Sequence, residues 1–398
     1  MRSLVVTATP IWPIRSGHAV RRCLIVDALA RRGSVTVVHV PMRPCEPTND
    51  PDTPVEVVTL GLSGRRATAA RLLREAAIDR LPSELVGYGW RQAADMVDAE
   101  LADRALDLCW LDRPVALLAA ERLLRRPGLA SICDLDDLEH HKIEGRAVVA
   151  TDRSRLIDRL KRAQRVGAWR RLYRLTARKS DAVVVCTDED AARLLPDRAH
   201  VVPNCFPDPS PRAAGGPEGA TVVLVGLHTY GPNADGALWF ARAVLPHLRK
   251  AVPDVRVEIV GEAGATLQAL AGPTVTVTGA VPDTAPAYAR ASLLAVPIRF
   301  GSGSRIKILE AWARAVPVVS TSLGAAGLGA TDGTELLLAD TPTAFADACA
   351  RLILQPGLAA DVAARGRARY VEHHTPAVLD HAVGRVVEAA LSASSARR

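Results

Sequence analysis

A glycine-framed turn before a predicted helix contains the residue types that bind phosphate. Gly301 and Gly303 alternate with Ser302 and Ser304, and a helix is predicted over about 305–315. The first turn of a helix has free N–H groups and the positive end of the helix dipole, so it attracts anions. Glycine also lets the backbone approach a diphosphate closely. The turn therefore predicts a diphosphate site.

Charged residues in the same helix support an anionic ligand. Arg305 and Lys307 oppose the helix dipole, so local stability does not explain them, whereas a bound anion does. The alternative is a glycine-rich turn with two solvated bases. Glu310 is a candidate for binding paired ribose hydroxyls. Its alternative role is an i,i+4 ion pair with Arg314, which is worth about 0.3–0.5 kcal/mol.

The elements that position these residues form two similar series. Short apolar runs alternate with helical stretches, which predicts two α/β domains with parallel sheets. The predicted strands are 4–8, 34–40, 55–60, 106–111, 130–135, 181–186, 221–226, 255–261, 274–279, 292–298 and 317–321. The segment 203–220 contains five prolines and three glycines and predicts a linker.

The domain organisation follows from this pattern. Ligands of open parallel sheets bind beyond the carboxyl ends of the strands, which in a two-domain protein predicts a cleft between the domains. The predicted segments are a first domain over 1–203, a linker over 204–219, a second domain over 220–375, and a C-terminal helix over 376–398 that returns to the first domain.

Composition excludes several classes of protein. Of 398 residues, 48% are hydrophobic, which is enough for buried cores, yet no apolar run reaches the roughly 18 residues that cross a bilayer. The seven cysteines occur singly, without a Cys-x-x-Cys pair, so neither a disulfide framework nor a structural zinc site is predicted. We therefore expect a cytoplasmic protein.

One segment accounts for the net charge of +7. Residues 153–179 contain eleven Lys or Arg and one acid, so the rest of the chain is slightly acidic. The first interpretation is an amphipathic helix pair, with stripes at Leu156, Leu160 and Ala163 and at Trp169, Leu172, Tyr173 and Thr176 packed on the sheet. The second is peripheral contact with anionic lipid at the inner membrane face, or with a phosphorylated acceptor.

The stretch GSGSRIKILEAWARAVPVVSTSLGAAGL resembles the donor-binding signature of glycosyltransferase family 4. Residues 4–40, 200–208 and 222–261 resemble other parts of the family in the same order, so the resemblance spans nearly the whole chain. It implies the GT-B fold, with two Rossmann-like, doubly wound α/β domains facing a central cleft and a C-terminal crossover helix. In this fold the first domain binds the acceptor and the second binds the nucleotide sugar. It also implies a retaining reaction, in which a donor phosphate oxygen takes the acceptor's proton.

The resemblance implies roles for individual residues. Glu310 holds the nucleotide ribose, and Arg305 and Lys307 lie against the donor diphosphate and stabilise the leaving group. The other donor-binding residues implied are Gly17, His228, Gly301, Ser302, Gly303, Ser304, Ser320 and Thr321.

An aspartate-rich loop, DLDDLEHHK (134–142), resembles a loop found in one branch of the family. Asp137 is the first choice and Asp134 the second for contacting the acceptor hydroxyl or the transferred sugar, and His18 and His140 are further acceptor-binding candidates. The alternative for each acid is a helix N-cap or a solvated turn.

The sequence departs from the family pattern in three places. Ser302 stands where many members have a glutamate, eight residues before Glu310. No base follows the first strand of the second domain until Arg242, so the cationic role falls on Arg305 and Lys307, with His228 as a helper. The first loop has one glycine, Gly17, where many members have two.

The predicted reaction moves a hexosyl or N-acetylhexosaminyl group from a nucleoside-diphosphate sugar to a hydroxyl of a small-molecule, glycan or lipid-linked acceptor, in bacterial natural-product or envelope biosynthesis. A UDP-sugar is slightly favoured over a GDP-sugar, and no cofactor or metal is required. The protein is expected to be a monomer or weak dimer that does not bind nucleic acid. The alternatives are a sugar-nucleotide epimerase, a transferase forming C–N or C–S bonds, and a non-catalytic nucleotide-sugar-binding protein. A nicotinamide-dependent oxidoreductase is disfavoured, since neither domain's first loop has Gly-x-Gly-x-x-Gly.

Overall fold

A computed structural model describes most of the chain and divides it into two compact units. The described residues are 1–12, 14, 16–42, 55–61, 68, 72–136, 138–149, 156–194, 199–209, 219–301 and 305–396. The predicted site residues Asp137, Ser302, Gly303 and Ser304 lie outside them. Unit 1 is Met1–Pro203 with Leu379–Arg398, and unit 2 is Asn204–Val378.

Within its described residues, unit 1 contains one parallel sheet with the strand order β3-β2-β1-β4-β5-β6-β7. The strands are β1 (Arg2–Thr7), β2 (Ser34–His39), β3 (Glu56–Thr59), β4 (Leu108–Asp112), β5 (Ala130–Asp134), β6 (Ala182–Val185) and β7 (Ala199–Val201). The central strands are continuous apolar runs buried on both faces, as parallel sheets require. The six strands predicted for this domain are confirmed, and β7 is an addition.

Helices cover the sheet of unit 1. They are α1 (Gly17–Ala30), α2 (Trp90–Glu100), α3 (Arg113–Ala120), α4 (Glu139–Val149), α5 (Leu156–Lys179) and α6 (Asp188–Leu194). Helix α1 begins where Ser16 Oγ accepts a hydrogen bond from the Ala19 N–H at 3.2 Å, which is an N-cap. This cap fixes the loop between β1 and α1.

The basic segment forms one continuous helix, α5, over its described residues, and the predicted pair is wrong. Trp169, Leu172 and Tyr173 are buried as predicted. Leu160, placed in a buried stripe by the sequence analysis, is instead 61% exposed. Charged side chains surround Leu160 along the first half of α5, and packing that half would have required burying them at a large cost.

Unit 2 contains a second parallel sheet, with the strand order β10-β9-β8-β11-β12-β13 over its described residues. The strands are β8 (Thr221–Val225), β9 (Arg256–Val260), β10 (Val275–Gly279), β11 (Leu293–Val296), β12 (Val318–Ser320) and β13 (Leu337–Leu338). Five of these strands were predicted, whereas β13 has only two residues and no recognisable pattern. Both sheets have the strand order of doubly wound α/β domains.

The helices of unit 2 surround this sheet. They are α7 (Gly231–Trp239), α8 (Leu245–Ala251), α9 (Ala265–Gln268), α10 (Ala285–Arg290), α11 (Ile306–Ala313), α12 (Ser322–Ala325), α13 (Pro342–Leu354) and α14 (Pro356–His373). The turn Phe240–Val244 joins α7 to α8, so the single helix predicted over 233–251 carries a π-type bulge.

The last helix, α15 (Pro376–Ser395), belongs to unit 1 from Leu379 onward. Arg32 Nη1 donates to Asp380 Oδ1 at 2.6 Å, and Arg32 Nη2 donates to the Asp380 carbonyl at 2.8 Å. The chain therefore leaves unit 1 after Pro203 and returns to it through α15.

Candidate functional site

A partly buried lysine, Lys307, lies at the carboxyl end of β8 in unit 2. Lys307 Nζ donates to Asn233 Oδ1 at 2.6 Å, and Asn233 Nδ2 donates to the Leu227 carbonyl at 2.9 Å. A side chain at Gly226 would come within 3.3 Å of Lys307 Nζ, so glycine keeps this space open. Burial, with a smaller effect from Arg305, lowers the pKa of Lys307 to about 8. The structure therefore holds a desolvated cation where parallel sheets bind ligands.

Arg305 directly precedes α11 rather than lying within it. Its φ of 52° is left-handed, and the helix begins at Ile306, one residue later than predicted. The Arg305 Nε donates to the Ala326 carbonyl at 3.2 Å. The guanidinium is thus held beside the end of α12, while Lys307 faces Asn233.

Glu310 makes both the predicted ion pair and a second contact. Its Oε1 accepts hydrogen bonds from Thr284 Oγ1 at 2.6 Å and from Arg314 Nε at 3.3 Å. Burial raises the pKa of the Glu310 carboxyl, although Thr284 and Arg314 oppose this effect. The Tyr288 side chain is a further hydrogen-bonding neighbour of this carboxyl, and the contact of Glu310 with a ribose stays a prediction.

Two other predicted donor-binding residues, Ser320 and Thr321, use their hydroxyl groups to bind backbone atoms at the end of β12. Ser320 Oγ donates to the Thr321 carbonyl at 2.9 Å, and Thr321 Oγ1 donates to the Ile298 carbonyl. Thr321 Oγ1 also accepts from the Gly324 N–H at 3.0 Å, which caps α12. These bonds fix the strand end, and donor contact by Ser320 and Thr321 stays a prediction.

Gly301 and His228 lie in loops beside the lysine. Gly301 has a φ of 110°, and a Cβ there would lie 2.9 Å from Pro232 of α7. Only glycine fits that close approach. Burial, with a smaller effect from Lys307, lowers the pKa of His228 to about 4, so its ring is neutral at physiological pH.

Unit 1 has its own polar cluster at the carboxyl end of β5. Asp134 is buried and forms a two-point ion pair with Arg21, with Nε–Oδ2 at 3.0 Å and Nη2–Oδ1 at 3.1 Å. Arg21 Nη1 also donates to the Val202 carbonyl at 2.9 Å. Asp134 therefore holds the interior of unit 1 together, and its predicted contact with an acceptor stays a prediction.

The residue two positions later, Asp136, contacts a predicted acceptor residue. His18 Nδ1 lies 2.7 Å from Asp136 Oδ2, and Arg113 Nη2 donates to the same oxygen at 3.3 Å. Burial alone would raise the pKa of Asp136, but His18, Arg113 and Arg21 together lower it well below its usual value. Asp136 is therefore a carboxylate.

His140 is the second histidine of unit 1 that was predicted to bind the acceptor. It is buried against His141 and Tyr173, with ring centroids 4.2 and 5.7 Å away. Burial, His141 and Arg170 lower the pKa of His140 to about 4. Gly17 begins α1 next to His18, in unit 1.

Comparison with known protein families identifies part of unit 2. Residues 219–355 match the family model described as glycosyl transferases group 1. Over these residues the chain is similar to group 1 glycosyl transferases. The matched residues include Lys307, Glu310, Gly301 and His228. A search of curated proteins found no matching sequence.

Solved structures share the architecture of the whole chain. Sucrose-phosphate synthase from Thermosynechococcus elongatus superimposes with a TM-score of 0.67 at 16% identity, over 97% of this chain and 98% of that one. WaaG, a glycosyltransferase involved in lipopolysaccharide biosynthesis, has a TM-score of 0.63 at 15% identity, over 97% and 99%. Anabaena HepE, solved in complex with UDP-glucose, has a TM-score of 0.61 at 15% identity, over 98% and 99%. The fold is GT-B.

Sequence reasoning missed Asn233 in unit 2 and Asp136 and Arg113 in unit 1. Asn233 follows Gly-Pro at the start of α7, where an amide can be aimed at a neighbouring loop. Asp136 and Arg113 both have positive φ, at 49° and 69°. Aspartate tolerates that conformation better than most residues, but Asp134 and Asp137 share this property, so the sequence alone does not single out Asp136.

Membrane-spanning helices and metal-ligand clusters are both absent from the part of the chain that the structure describes. No helix among them is both long enough and apolar enough to span a bilayer. No three His, Cys, Asp or Glu side chains within the described ranges converge as metal ligands would.

Proposed function

We propose that this protein is a retaining glycosyltransferase of family 4 that transfers a sugar from a nucleoside-diphosphate sugar to a hydroxyl group. The observation that carries the proposal is the partly buried Lys307, fixed by Asn233 at the carboxyl end of β8 within the residues that match the group 1 glycosyl transferases. A desolvated ammonium favours a ligand of concentrated negative charge, such as a diphosphate.

The proposed chemistry uses fixed cations at the leaving group. As the bond between the sugar C1 and the diphosphate oxygen breaks, negative charge develops on the diphosphate. Lys307 and Arg305 stabilise this charge without having to reorganise. Glu310 holds the ribose, and the reaction requires no metal.

The donor and acceptor are proposed at the level of chemical class. A UDP-hexose or UDP-N-acetylhexosamine is favoured as donor, and HepE, which shares the fold, was solved with UDP-glucose. The acceptor is a small molecule, a glycan or a lipid-linked molecule in a bacterial natural-product or envelope pathway. Unit 1 binds this acceptor in the cytoplasm. Retention is tested by the anomeric proton coupling of the first product.

Ligand binding gives the first test. In a thermal-shift panel of UDP, GDP, ADP and dTDP with their sugars, one nucleotide series should stabilise the protein. At 100 times its dissociation constant, a ligand adds about 2.7 kcal/mol to the free energy of unfolding. The control is the matching nucleoside, which lacks the diphosphate and should give a much smaller shift. A flat panel would contradict the proposal.

We also propose that the first half of α5 contacts anionic lipid. Residues 158–165 are largely exposed, Leu160 among them, although Arg165 pairs with Glu84. Exposed arginine and lysine around a solvent-facing leucine suit the interface of an acidic membrane.

Vesicle binding tests this contact. The protein should co-sediment with vesicles of phosphatidylcholine and phosphatidylglycerol, and less so as salt is added. Changing Arg159 and Lys161 to glutamine removes two charges worth about 1 kcal/mol each, so partitioning should fall about 30-fold. Arg242→Gln with Lys250→Gln, on exposed helix positions of unit 2, is the matched control. Equal binding to vesicles of phosphatidylcholine alone would refute the contact.

A further inference from the structure

The segment 297–301 follows β11 in unit 2 and lies against helix α7. A Cβ on Gly236 of α7 would be 2.4 Å from the Pro297 carbonyl oxygen, and a Cβ on Gly301 would be 2.9 Å from Pro232 of α7. Glycine is unfavourable inside a helix, so this close backbone contact, rather than helix stability, explains Gly236. The segment is therefore packed on α7 at both of its ends.

An ion pair joins the same segment to the same helix between these two contacts. Arg299 Nε donates to Asp235 Oδ2 at 2.9 Å, and Arg299 Nη2 donates to Asp235 Oδ1 at 2.6 Å. The Arg299 guanidinium carbon is also 5.8 Å from the centroid of the Trp239 ring, one turn further along α7. Pro232, Asp235, Gly236 and Trp239 have the i, i+3, i+4, i+7 spacing of one helix face. A single face of α7 therefore receives the whole segment.

Stability does not explain this ion pair. The side chains of Arg299 and Asp235 are 32% and 27% exposed, and an ion pair with that exposure adds little to the free energy of unfolding, because water screens it. A two-point pair between arginine and a carboxylate does fix geometry, since two parallel hydrogen bonds define both a distance and an angle. The pair is therefore better suited to fixing the position of segment 297–301 than to holding unit 2 together.

The helix that receives this ion pair also holds the lysine of the candidate site. Lys307 Nζ donates to Asn233 Oδ1 at 2.6 Å, and Asn233 directly follows Pro232, the residue on which Gly301 packs. Helix α7 thus contacts Lys307 and Gly301 through two consecutive residues. The distance between the Lys307 ammonium and the Gly301 backbone therefore depends on how segment 297–301 is seated on α7.

We propose that Asp235 and Arg299 are positioning residues of the diphosphate site. Their ion pair keeps the Gly301 backbone in one place relative to the Lys307 ammonium, so the diphosphate of the donor binds without a rearrangement of the segment. The inference rests on the proposed glycosyltransferase function, because it assigns how the diphosphate site of that function is held. A site that is ordered before its ligand arrives spends no binding energy on ordering.

The direction of the effect of one substitution distinguishes positioning from simple charge. Asp235→Asn removes a negative charge near an anion site and leaves Arg299 in place, so electrostatics alone predicts that UDP binds more tightly. Positioning predicts the opposite result, because the amide of asparagine cannot accept both hydrogen bonds from the guanidinium and the segment loses its two-point contact.

The first experiment is a calorimetric titration with UDP. Asp235→Asn should bind UDP about tenfold more weakly than the wild type, which is the size of effect expected when side chains must be ordered on binding. Affinity for uridine, which has no phosphate, should not change. The exchanged pair, Asp235→Arg with Arg299→Asp, restores the ion pair and should recover part of the loss. Unchanged or tighter binding of UDP to Asp235→Asn would overturn the proposal.

A second ion pair of unit 2 provides the matched control. Arg290 Nε and Nη2 donate to the two carboxylate oxygens of Glu258 at 3.3 and 3.0 Å, and this pair joins α10 to β9. Glu258→Gln removes one charge from a two-point pair of the same kind and should bind UDP like the wild type. An equal loss of UDP affinity in Glu258→Gln and Asp235→Asn would overturn the positioning role, because any broken ion pair of the unit would then have the same effect.

The second experiment uses the protein without a nucleotide. Nitrogen-15 relaxation should show lower order parameters for the Phe300 and Gly301 amides in Asp235→Asn than in the wild type, with no change at Val223 of β8. Equal order parameters in the two proteins would overturn the proposal, whether or not UDP binds. Failure of UDP, GDP, ADP and dTDP to bind the wild type would instead count against the glycosyltransferase function.

Discussion

Replacing Lys307 with alanine is expected to lower turnover of the sugar-nucleotide donor by roughly 100- to 1000-fold. The ammonium is partly buried, is fixed at 2.6 Å from Asn233 Oδ1, and lies at the carboxyl end of β8. Removing one such contact to a developing anion costs about 2.7–4 kcal/mol of barrier. Nucleotide release measured with saturating donor gives the comparison.

A matched lysine separates this effect from a general loss of charge. Lys250 lies exposed near the end of α8 in the same unit, and Lys250→Ala should turn over like the wild type. Hydrogen exchange of unit 2 should be the same in both variants, which checks folding. Undiminished turnover in Lys307→Ala would remove the main support for the diphosphate site.

The same lysine predicts how affinity depends on pH. Burial lowers the pKa of Lys307 to about 8, so the free protein loses this charge as the pH rises through that value. A diphosphate binds the protonated form, and UDP affinity should therefore fall about fivefold between pH 8 and pH 9. Lys307→Arg keeps its charge over this range, so its affinity should stay level. Calorimetric titration with UDP at both pH values decides between the two outcomes.

The sequence predicted the fold well because its strands are long apolar runs bounded by turns. Buried β-branched segments such as 221–225 have few other structures open to them. β7 and β13 were not predicted because strands of two or three residues are too short to show a hydrophobic pattern. The sequence analysis wrongly packed the first half of α5 on the sheet. The helical spacing of its apolar residues takes no account of the charged side chains that would be buried with Leu160.

A residue of the candidate site could be predicted from the sequence only where its residue type has one main role at that position. Lys307 was recognisable because a base at the start of a helix opposes the helix dipole, so local stability does not explain it. Glu310 was recognisable as an acid about one turn later in the same helix. Asp136 did not, since four acids lie within 134–139 and the backbone conformation decides which one turns toward His18. Asn233 was missed because its role depends on Lys307, which is distant in the sequence.

Replacing Asp134 with alanine is expected to have the largest effect on stability. The result distinguishes a structural role of Asp134 from a catalytic one. Arg21 is 1% exposed, and Asp134→Ala would leave its guanidinium buried without its closest carboxylate. Breaking such a pair costs about 3–5 kcal/mol. We expect hydrogen exchange in β1 and β5 to report this loss within unit 1, where a single unfolding curve would mix the two units.

Two comparisons make that result interpretable. Asp95 pairs with Arg122 at the surface of unit 1, and Asp95→Ala should cost less than about 1 kcal/mol. The double variant Arg21→Met with Asp134→Leu replaces the buried pair with apolar side chains and should recover much of the lost stability. If Asp134→Ala were as stable as Asp95→Ala yet inactive, Asp134 would be a catalytic residue after all. A loss of activity that instead follows the loss of exchange protection assigns Asp134 to the scaffold on which Asp136 and His18 are held.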